Sequence, residues 1–463
     1  MKKTDISEIY SKSATFANSE VTIAGWIRSV RNSKTFGFID MFDGTCFDGM
    51  QVIFEQDKIS NYTEVSKLIA GSSLVVSGIL VLTPQAKQPF EIKATKIKII
   101  NATDETYPLQ KKHHSVEFLR DIAYLRPRTR LFNAVFRVRS VAAFAIHKYF
   151  QDNNYVYVNT PLITTADCEG SNQMFKITAL DLDNPPLDNS GKIDFSKDLF
   201  GRQSYITGSG QLHGEAFALA FSKIYTFGPT FRTENSNTKT HANEFWMIEP
   251  EIAFCDLDGL MDIQEDMLKF VVSYVLEHCA KELTFLDSFV QNGLLEKLNK
   301  LVSSKFTRID YKDVIEILQK SGEKWEFEPV FGGDIAKEHE KYITNYFNGP
   351  VFIKNWPKDI KAFYMKVNSD NETVAAVDLE VPGAGELTGG SQREDDYDAL
   401  IKRCDQMNVD KSTIDWFLNL RKFGSCEHSG FGIGFERLVM YLTGVDNIRD
   451  AIPFPRTPKN CEY

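Results

Sequence analysis

Charged side chains recur at strand-like spacing in the stretch FRTENSNTKTHANEFWMIEPEIAF, residues 231–254. Arg232 and Glu234 lie two positions apart, and because successive side chains of a strand point to opposite faces, we predict that they share one face of a strand. The second half predicts a returning antiparallel strand that places four alternate side chains on one face, namely Phe245, Met247, Glu249 and Glu251. A sheet face that aligns a cation, carboxylates and an aromatic ring can hold a polar ligand, and a solvated face is the alternative.

Length and composition limit the classes of protein that can carry such a site. The chain has 463 residues, enough for two or three domains, and its 43% hydrophobic and 25% charged residues are ordinary for a globular protein. A net charge of −10 argues against a protein that coats nucleic acid generally, but not against local basic patches. Seven scattered cysteines without a C-x-x-C pair favour reduced thiols. Because we find no signal-peptide core and no apolar run long enough to span a bilayer, we predict a cytoplasmic protein that does not enter the membrane.

An OB-fold β-barrel is predicted for the N-terminal domain, residues 1–102. Residues 21–100 contain five candidate strands with a helix-like segment after the third, which is the order of that fold, a frequent oligonucleotide binder. Its early strands mix basic and aromatic side chains, as a binder of single-stranded nucleic acid requires: Arg28, Arg31, Lys34, Phe36 and Phe38. Ordinary strand residues on a solvated barrel are the alternative interpretation.

A linker and a larger α+β domain follow the barrel. Residues 103–118 lack periodicity and indicate a linker, in which the adjacent His113 and His114 are interpreted as part of a solvated hinge, since no other type of metal ligand clusters nearby. From 119 to 463, long amphipathic helices alternate with strands that meet in hairpins, which predicts a mainly antiparallel sheet flanked by helices. Two insertions are expected in this domain, a polar loop over the site near 179–204 and peripheral helices near 285–360.

Common nucleotide-binding and hydrolase motifs are absent from the sequence, including G-x-x-x-x-G-K-[ST], G-x-G-x-x-G, G-x-S-x-G and H-E-x-x-H. What remains is a strand ending at Pro161, then FRTE with its loop and returning strand, then GFGIGFER before a helix. In this order they resemble the three signature motifs of class II aminoacyl-tRNA synthetases. The stretches SGQLHGEAFALAFSKIYTFGPTFRTENSNTKTHANEFWMIEPEIAF, GGSQREDDYD and GFGIGFERLVMYLTGVDNIRDAIPFPRTP resemble the aspartate, asparagine and lysine subgroup, and most closely its asparagine-specific members. The resemblance spans essentially the whole chain.

This resemblance implies ATP-dependent ligation of L-asparagine to tRNA(Asn) through an aminoacyl-adenylate. The transition state gathers negative charge at phosphorus, so catalysis rests on positioning and electrostatic stabilisation. By resemblance, Arg232 is the catalytic residue and bridges the amino-acid carboxylate and the α-phosphate with its planar guanidinium. The other implied ATP contacts are Glu234 at the adenine amino group, His241 at the γ-phosphate, Phe245 and Arg437 on the two faces of adenine, and Glu386. The implied Mg²⁺ ligands are Asp378 and Glu386, oxygen donors of the kind that Mg²⁺ prefers.

The resemblance also implies how the amino acid is chosen. An asparagine side chain offers an acceptor and an NH₂ donor, whereas aspartate offers acceptors only. Glu249 is implied to face the NH₂ group and Arg393 the C=O group, while Glu169 and Gln211 hold the α-amino group. The aspartyl enzymes carry a lysine in a motif resembling S-P-Q-L-Y-K-Q, and this chain has SGQLHGE, with Gly214 at the lysine position. The loss of that cation argues against an aspartate pocket.

Macromolecular partners are implied in the same way. Anticodon contacts are expected on the barrel, with a base stacked on Phe38, from Arg31, Phe38, Gln51 and Glu91. Pro161 resembles the motif-one proline at the subunit contact of the family, which implies a homodimer. The stretch YLRPRTRLFNAVFRVRS indicates either a basic stripe toward tRNA or ion pairs at a domain or dimer contact, through Arg126, Arg128, Arg130, Arg137 and Arg139.

Two alternatives to the asparagine ligase stay open. One is an aspartate-charging or non-discriminating enzyme of the same subgroup, which Gly214 and Glu249 disfavour. The other is a non-catalytic tRNA-binding paralogue that kept the fold. The second is disfavoured by the retention of the implied catalytic set, Arg232, Glu234, Phe245, Glu386 and Arg437.

Overall fold

Two strand-rich units make up the computed structural model, which describes residues 3–86, 88–112, 114–168, 174–235 and 238–463. The first unit is Met1–Ala134 and the second is Val135–Tyr463. The finer division that we predict, with a linker at 103–118, stays a prediction.

A closed five-stranded barrel forms the first unit. Its strands are β1 (Glu20–Asn32), β2 (Phe36–Phe42), β3 (Met50–Glu55), β4 (Ser73–Leu82) and β5 (Phe90–Asn101). They are bonded in the order β1-β2-β3-β5-β4, and only the β3–β5 pair is parallel. The short helices are α1 (Ile6–Ser11), α2 (Ser13–Phe16), α3 (Tyr62–Val65) and α4 (Val116–Asp121). Side chains alternate across the wall, so Ile23, Val52 and Ile92 fill the interior. A helix after the third strand of such a barrel confirms the predicted OB-fold.

An eight-stranded sheet organises the second unit, in the order β12-β13-β14-β15-β16-β11-β10-β6. Its strands are β6 (Val156–Tyr157), β10 (Lys223–Phe231), β11 (Glu244–Ala253), β12 (Thr307–Asp310), β13 (Val351–Pro357), β14 (Thr373–Val381), β15 (Gly385–Gln392) and β16 (His428–Gly434). A small second sheet has the order β7-β9-β8, with β7 (Ile163–Thr164), β8 (Phe175–Ile177) and β9 (Ser204–Ile206). In the large sheet only the pairs β12–β13 and β10–β6 are parallel among the described strands, which confirms the mainly antiparallel prediction.

Helices pack around the large sheet. They are α5 (Arg130–Asp152), α6 (Gln211–Phe221), α7 (Leu257–His278), α8 (Ala280–Phe289), α9 (Leu294–Ser303), α10 (Tyr311–Lys320), α11 (Lys337–Tyr346), α12 (Tyr397–Gln406), α13 (Asp415–Asn419) and α14 (Phe435–Thr443). The side chain of Asp256 caps α7 by accepting from the Gly259 N–H. Gly444, at φ +76°, ends α14 in the left-handed conformation that glycine adopts without strain. Across the described part of the chain, no helix is both long and apolar enough to cross a membrane.

Three local predictions differ from the structure. The strand predicted to end at Pro161 is shorter than expected, since β6 ends at Tyr157. Pro161 cannot donate to a ladder, and the residues after it form a separate two-residue strand, β7. Strand β10 ends at Phe231, so the prediction that Arg232 and Glu234 share a strand face is wrong. Both lie in the following loop. The segment 285–360 contains β12 and β13 of the large sheet as well as helices, and the sequence analysis missed those strands.

Candidate active site

A cavity of about 480 Å³ opens on one face of the large sheet. Its walls come from the β10–β11 hairpin, the strands β14, β15 and β16, and the start of α14. The lining includes Gln211, Arg232, Glu234, His241, Phe245, Glu249, Asp378, Glu386, Arg393 and Arg437. The structure thus brings together every described residue that the sequence analysis assigns to the ATP, amino-acid and metal sites. Glu169 and His113 lie outside the described residues.

Strand β11 supplies the floor of the cavity through alternate side chains. The four that line it are Phe245, Met247, Glu249 and Glu251, the set that the strand periodicity places on one face. On the opposite face Ile248 is buried, whereas Trp246 keeps 39% of its surface exposed. The prediction of the polar face is therefore confirmed, and the core on the other side is only partly closed.

The loop after β10 is fixed by a single asparagine. The Arg232 N–H donates to the Asn243 carbonyl oxygen (3.0 Å), and Asn243 Nδ2 donates to the carbonyl oxygens of Arg232 (2.8 Å) and Glu234 (3.0 Å). The Arg232 guanidinium lies 5.4 Å from the centre of the Phe245 ring. These bonds hold Arg232 and Glu234 at the cavity in place of the strand ladder that we expected.

Two further basic side chains reach the same wall. Arg437 Nη1 donates to the Glu386 carbonyl oxygen (3.2 Å) and lies 3.8 Å from Glu386 Oε2. Thr238 Oγ1 lies 2.5 Å from His241 Nδ1. Burial, followed by the charge of Arg437, lowers the pKa of His241 below its ordinary value of 6.5. The His241 ring is therefore neutral near pH 7, whereas Arg437 is a permanent cation.

Asp378 and Glu386 converge over Gly389. A Cβ atom built on Gly389 would lie 3.2 Å from Asp378 Oδ1 and 3.3 Å from Glu386 Oε1, so two carboxylate oxygens approach one point above a residue that has no side chain. No group of three or more protein metal ligands occurs among the described residues. Two carboxylates fit Mg²⁺ that takes its other ligands from phosphate oxygens and water.

Lys361 is a cavity residue that the sequence analysis missed. Its ammonium lies 2.5 Å from Asp378 Oδ2 and 3.9 Å from the centre of the Trp356 ring. Burial raises the pKa of the Asp378 carboxyl to about 6, although the Lys361 charge acts in the opposite direction. Lys361 thus holds Asp378 in place and favours its ionised form. It lies 17 positions before Asp378, and no motif in the sequence marked it.

Glu340 of helix α11 supports Glu386 from behind. The Glu386 N–H hydrogen-bonds to the Glu340 carboxylate. A Cβ atom on Gly385, at φ +73°, would lie 2.1 Å from Glu340 Oε2, so only glycine fits there. Burial, followed by the charge of Glu386, raises the pKa of Glu340 to about 7. Glu380, which is also buried, pairs in register with Glu386, and burial together with the charges of Glu340 and Glu386 raises its pKa.

Glu249 and Arg393 line the other end of the cavity. Glu249 accepts from Ser209 Oγ (2.5 Å), the Gly210 N–H (3.0 Å) and Thr226 Oγ1 (3.0 Å). Arg393 donates from Nε and Nη2 to the two oxygens of Glu251 (3.1 and 2.5 Å) and from Nη1 to Ser391 Oγ (2.9 Å). Burial raises the pKa of Glu251 to about 7 against the opposing charge of Arg393. Three of the five Arg393 N–H groups are therefore used, and two remain for a ligand.

Comparisons with known proteins match this architecture along the chain. Residues 115–458 match the family model described as tRNA synthetases class II (D, K and N), and residues 21–100 match an OB-fold nucleic acid binding domain. The chain is 56% identical to an asparagine–tRNA ligase of Acholeplasma laidlawii, over 99% of both chains. The chain belongs to the class II tRNA synthetases for aspartate, lysine and asparagine.

Two further relatives extend over the full length of the synthetase. An asparagine–tRNA ligase of Alkaliphilus oremlandii is 55% identical over 100% of both chains. The crystal structure of asparaginyl-tRNA synthetase from Pyrococcus horikoshii complexed with asparaginyl-adenylate superimposes with a TM-score of 0.87 at 31% identity, covering 100% of this chain and 99% of that one. The predicted family and fold class are thereby confirmed.

The residues expected to read the anticodon lie on neighbouring strands of the synthetase barrel. Arg31 of β1 pairs in register with Phe38 of β2, and its guanidinium lies 6.0 Å from the ring centre. Gln51 Nε2 donates to Glu91 Oε2 (3.0 Å), joining β3 to β5. Phe38 also meets the ring of Phe36 edge to face, at 5.5 Å. The structure brings these residues onto the outer surface of the barrel, and their role stays a prediction.

Three arginines of the arginine-rich stretch contact other side chains of the synthetase. Arg126 is fully buried, with its guanidinium 4.4 Å from the Phe132 ring, and Arg130 lies 4.7 Å from the Phe47 ring. Arg139 pairs with Glu436 at 2.8 Å. The interpretation of a continuous basic stripe toward tRNA is therefore not favoured, because these three side chains contact other residues of the chain.

Proposed function

We propose that this synthetase activates L-asparagine with ATP and transfers it to tRNA(Asn), releasing AMP and pyrophosphate. The names of its full-length relatives support asparagine as the amino acid, and the Pyrococcus horikoshii enzyme was crystallised with asparaginyl-adenylate. One observation on this chain carries the proposal: a single cavity joins Arg232 and Arg437, suited to phosphate and carboxylate, to an end lined by Glu249 and Arg393.

In the first step, an oxygen of the asparagine carboxylate attacks the α-phosphorus of ATP. The bond to the bridging oxygen breaks, and pyrophosphate leaves with its electron pair. Arg232 contacts both the carboxylate and the α-phosphate, so its guanidinium stabilises the charge that gathers between them. Phe245 and Arg437 enclose the adenine ring, and Glu234 accepts from its amino group. His241 donates to the γ-phosphate.

Asp378 and Glu386 would hold Mg²⁺, and the convergence of their oxygens over Gly389 supports this role. The ion, when bound, supplies positive charge to the phosphate oxygens of ATP. Lys361 keeps Asp378 oriented toward the cavity, and Glu340 fixes the backbone of Glu386.

In the second step, a hydroxyl of the terminal tRNA ribose attacks the carbonyl carbon of the adenylate. The bond between that carbon and the phosphate oxygen breaks, AMP leaves, and the hydroxyl proton is released. The barrel selects the tRNA by stacking an anticodon base on Phe38, while Arg31, Gln51 and Glu91 contact base edges or backbone. Recognition and chemistry are thus divided between the two units.

We also infer a homodimer that works in the cytoplasm. Exposed apolar side chains next to Pro161 support the dimer, because Leu162 and Ile163 keep 42% and 47% of their surfaces exposed. The structure describes all seven cysteines and none of them is in a disulfide, in keeping with a reducing compartment.

Charging assays test the proposal on the intact enzyme. tRNA(Asn) and tRNA(Asp) transcripts are each incubated with ATP, Mg²⁺ and labelled asparagine or aspartate. We expect charging of tRNA(Asn) with asparagine alone, and loss of that charging by about 10³-fold or more in Arg232→Lys, because a point charge cannot bridge two oxyanions as a fork does. Arg308→Lys, at the far edge of the sheet, is the matched control. Aspartate charging at equal efficiency favours the aspartate alternative, and tRNA binding without any charging favours the paralogue.

A further inference from the structure

A cluster of buried charged side chains lies behind the amino-acid end of the cavity. We call it the buried charge cluster, and its members are Glu215, Glu251, Arg393, Arg421 and His428, none more than 6% exposed. Arg393 and Glu251 line the cavity, whereas Glu215, Arg421 and His428 do not. Five ionisable groups withdrawn from water cost several kcal/mol each unless they compensate one another. Their arrangement therefore constrains which charge the cavity accepts.

Glu215 of helix α6 is the centre of this cluster. Arg421 Nη2 and His428 Nε2 contact its Oε2 at 2.6 and 3.0 Å, and Arg393 Nε lies 3.9 Å from its Oε1. Burial alone raises the pKa of a carboxyl, but here the charges of Arg421 and His428 outweigh it and hold the pKa of Glu215 below its ordinary value. Glu215 is therefore an ionised carboxylate at the core of the domain.

The same carboxylate orients Gln211, a cavity residue one helical turn away. Gln211 Nε2 donates to Glu215 Oε1 at 3.1 Å. Because an ionised carboxylate only accepts hydrogen bonds, the amide nitrogen must face Glu215, and the carbonyl oxygen of Gln211 is turned away from it. Gln211 thus presents an acceptor, which is what the ammonium group of an amino acid requires.

Charges at this end of the cavity balance without a charged substrate side chain. His428 Nδ1 lies 2.7 Å from the Cys426 carbonyl oxygen and its Nε2 lies 3.0 Å from Glu215 Oε2, so both ring nitrogens face acceptors. Within the buried charge cluster, two guanidinium cations, Arg393 and Arg421, face two carboxylates, Glu251 and Glu215. An amide side chain leaves this balance intact, whereas a carboxylate side chain adds one uncompensated negative charge in a buried setting.

We propose that Glu215 is a specificity-positioning residue: it orients Gln211 for the α-amino group, and its negative charge balances the cluster so that a neutral amide is accepted and a carboxylate is rejected. This inference rests on the proposed function. Glu215 touches no substrate, and it acts through Gln211 and Arg393. If this is the role of Glu215, removing a negative charge from the cluster should favour aspartate. Removing a positive charge should not.

Amino-acid-dependent ATP–pyrophosphate exchange with asparagine and aspartate at pH 8 tests this on the full chain. Glu215→Gln leaves the cluster with one excess positive charge, so we expect the ratio of kcat/KM for asparagine to that for aspartate to fall at least about tenfold, mostly through KM. Glu215→Asp keeps the charge but retracts the contact to Gln211, so we expect a higher KM for both amino acids at a nearly unchanged ratio. Glu394→Gln, a buried carboxylate outside the cavity that pairs with Lys366, is the control and should leave the ratio unchanged.

Arg421→Gln separates a charge effect from a structural one. It removes a cation from the cluster without altering any side chain that lines the cavity, so we expect the asparagine-to-aspartate ratio to stay or rise. Arg421→Gln also provides a test of the charge effect if Glu215→Gln does not fold. If both variants lower the ratio alike, or if folded Glu215→Gln keeps the wild-type ratio, the inference is overturned. Failure of the wild-type enzyme to exchange with asparagine instead removes the proposed function itself.

Discussion

At the scale of residues, the cavity separates side chains that the protein holds from side chains that it leaves for a ligand. Glu249 accepts three hydrogen bonds from its surroundings, and Arg393 is aligned by Glu251 with two N–H groups remaining. Such fixed partners let a buried site discriminate, because a substrate that leaves its groups unpaired loses binding energy. At this end of the cavity the charged groups of Glu249 and Arg393 are held in fixed orientations before a ligand binds.

Sequence periodicity could predict the cavity face of β11 because a strand alternates its faces with a period of two. The motifs that resemble the family predicted Arg232, Asp378 and Arg437 as neighbours, and all three line one cavity. No such signal marked Lys361 or Glu340. They lie in segments without a motif, and only the packing of distant strands and helices brings Lys361 to the cavity wall and Glu340 behind Glu386.

His241 provides a pH-dependent prediction. Its pKa lies below 6.5 through burial and the charge of Arg437, so the ring is neutral at pH 7.5 and becomes cationic only as the pH falls below that pKa. A cation attracts the γ-phosphate more strongly than a neutral donor does. We expect His241→Gln to raise the KM for ATP less than about fivefold at pH 7.5 and distinctly more at pH 5.5. Steady-state exchange at the two pH values measures this, and an effect that shrinks at low pH contradicts it.

At the scale of elements, the strands and helices that we predicted from long runs of regular hydrophobic spacing are present in the structure. The five strands of the barrel and the helix α5 were predictable from period-two and helical spacing. The end of β10 at Phe231 and the early end of β6 at Tyr157 were not, because they depend on local hydrogen bonds, such as those of Asn243, that residue spacing does not reveal. Strands β12 and β13 were missed because they lie among helices, and β12 has only four residues.

The outer surface of the barrel gives a prediction that separates tRNA recognition from chemistry. Phe38→Ala removes the ring on which a base is proposed to stack, a contact worth about 1–3 kcal/mol per base. We expect kcat/KM for tRNA charging to fall about 10- to 100-fold, while asparagine-dependent exchange without tRNA is unchanged. Phe289→Ala, a mostly exposed phenylalanine of α8, is the control. An equal loss in both assays would show that Phe38 supports folding instead.

Helix α11 gives a prediction for the metal end of the cavity. Glu340→Ala removes the acceptor of the Glu386 N–H and loosens the turn at Gly385. Because groups behind a metal ligand orient it, we expect the Mg²⁺ concentration for half-maximal exchange to rise by about tenfold or more. Calorimetric titration of ATP at several Mg²⁺ concentrations should show the same shift. Glu316→Ala, on the exposed face of α10, should behave as wild type, and an unchanged Mg²⁺ requirement in Glu340→Ala contradicts the assignment.

At the scale of the whole molecule, the chain combines a barrel that resembles nucleic-acid binders with a synthetase domain of the same family along its length. Chain length could indicate several domains, and the order of motifs could indicate the family. The homodimer proposed above was implied in the sequence by Pro161 alone. In the structure the proposal rests on exposed apolar side chains in β6, β7 and the loop between them.

Sedimentation or light scattering tests the proposed homodimer. We expect the wild type at twice the 52.7 kDa mass of one chain. Leu162→Arg places a charge in the proposed contact and should shift the enzyme toward single chains with reduced exchange, since a buried unpaired charge disrupts an interface. Leu187→Arg, in the exposed segment 179–204, should leave the mass unchanged. A wild-type enzyme that sediments as one chain contradicts the dimer.

Amino-acid-dependent ATP–pyrophosphate exchange, with asparagine and aspartate run in parallel on the wild-type enzyme, tests the central claim most directly. It reports formation of the adenylate without any contribution from tRNA, so it isolates the cavity that joins Arg232 to Arg393. We predict exchange with asparagine at a kcat/KM at least about 10³-fold above that for aspartate. Exchange with aspartate at comparable efficiency, or with neither amino acid, would contradict the account.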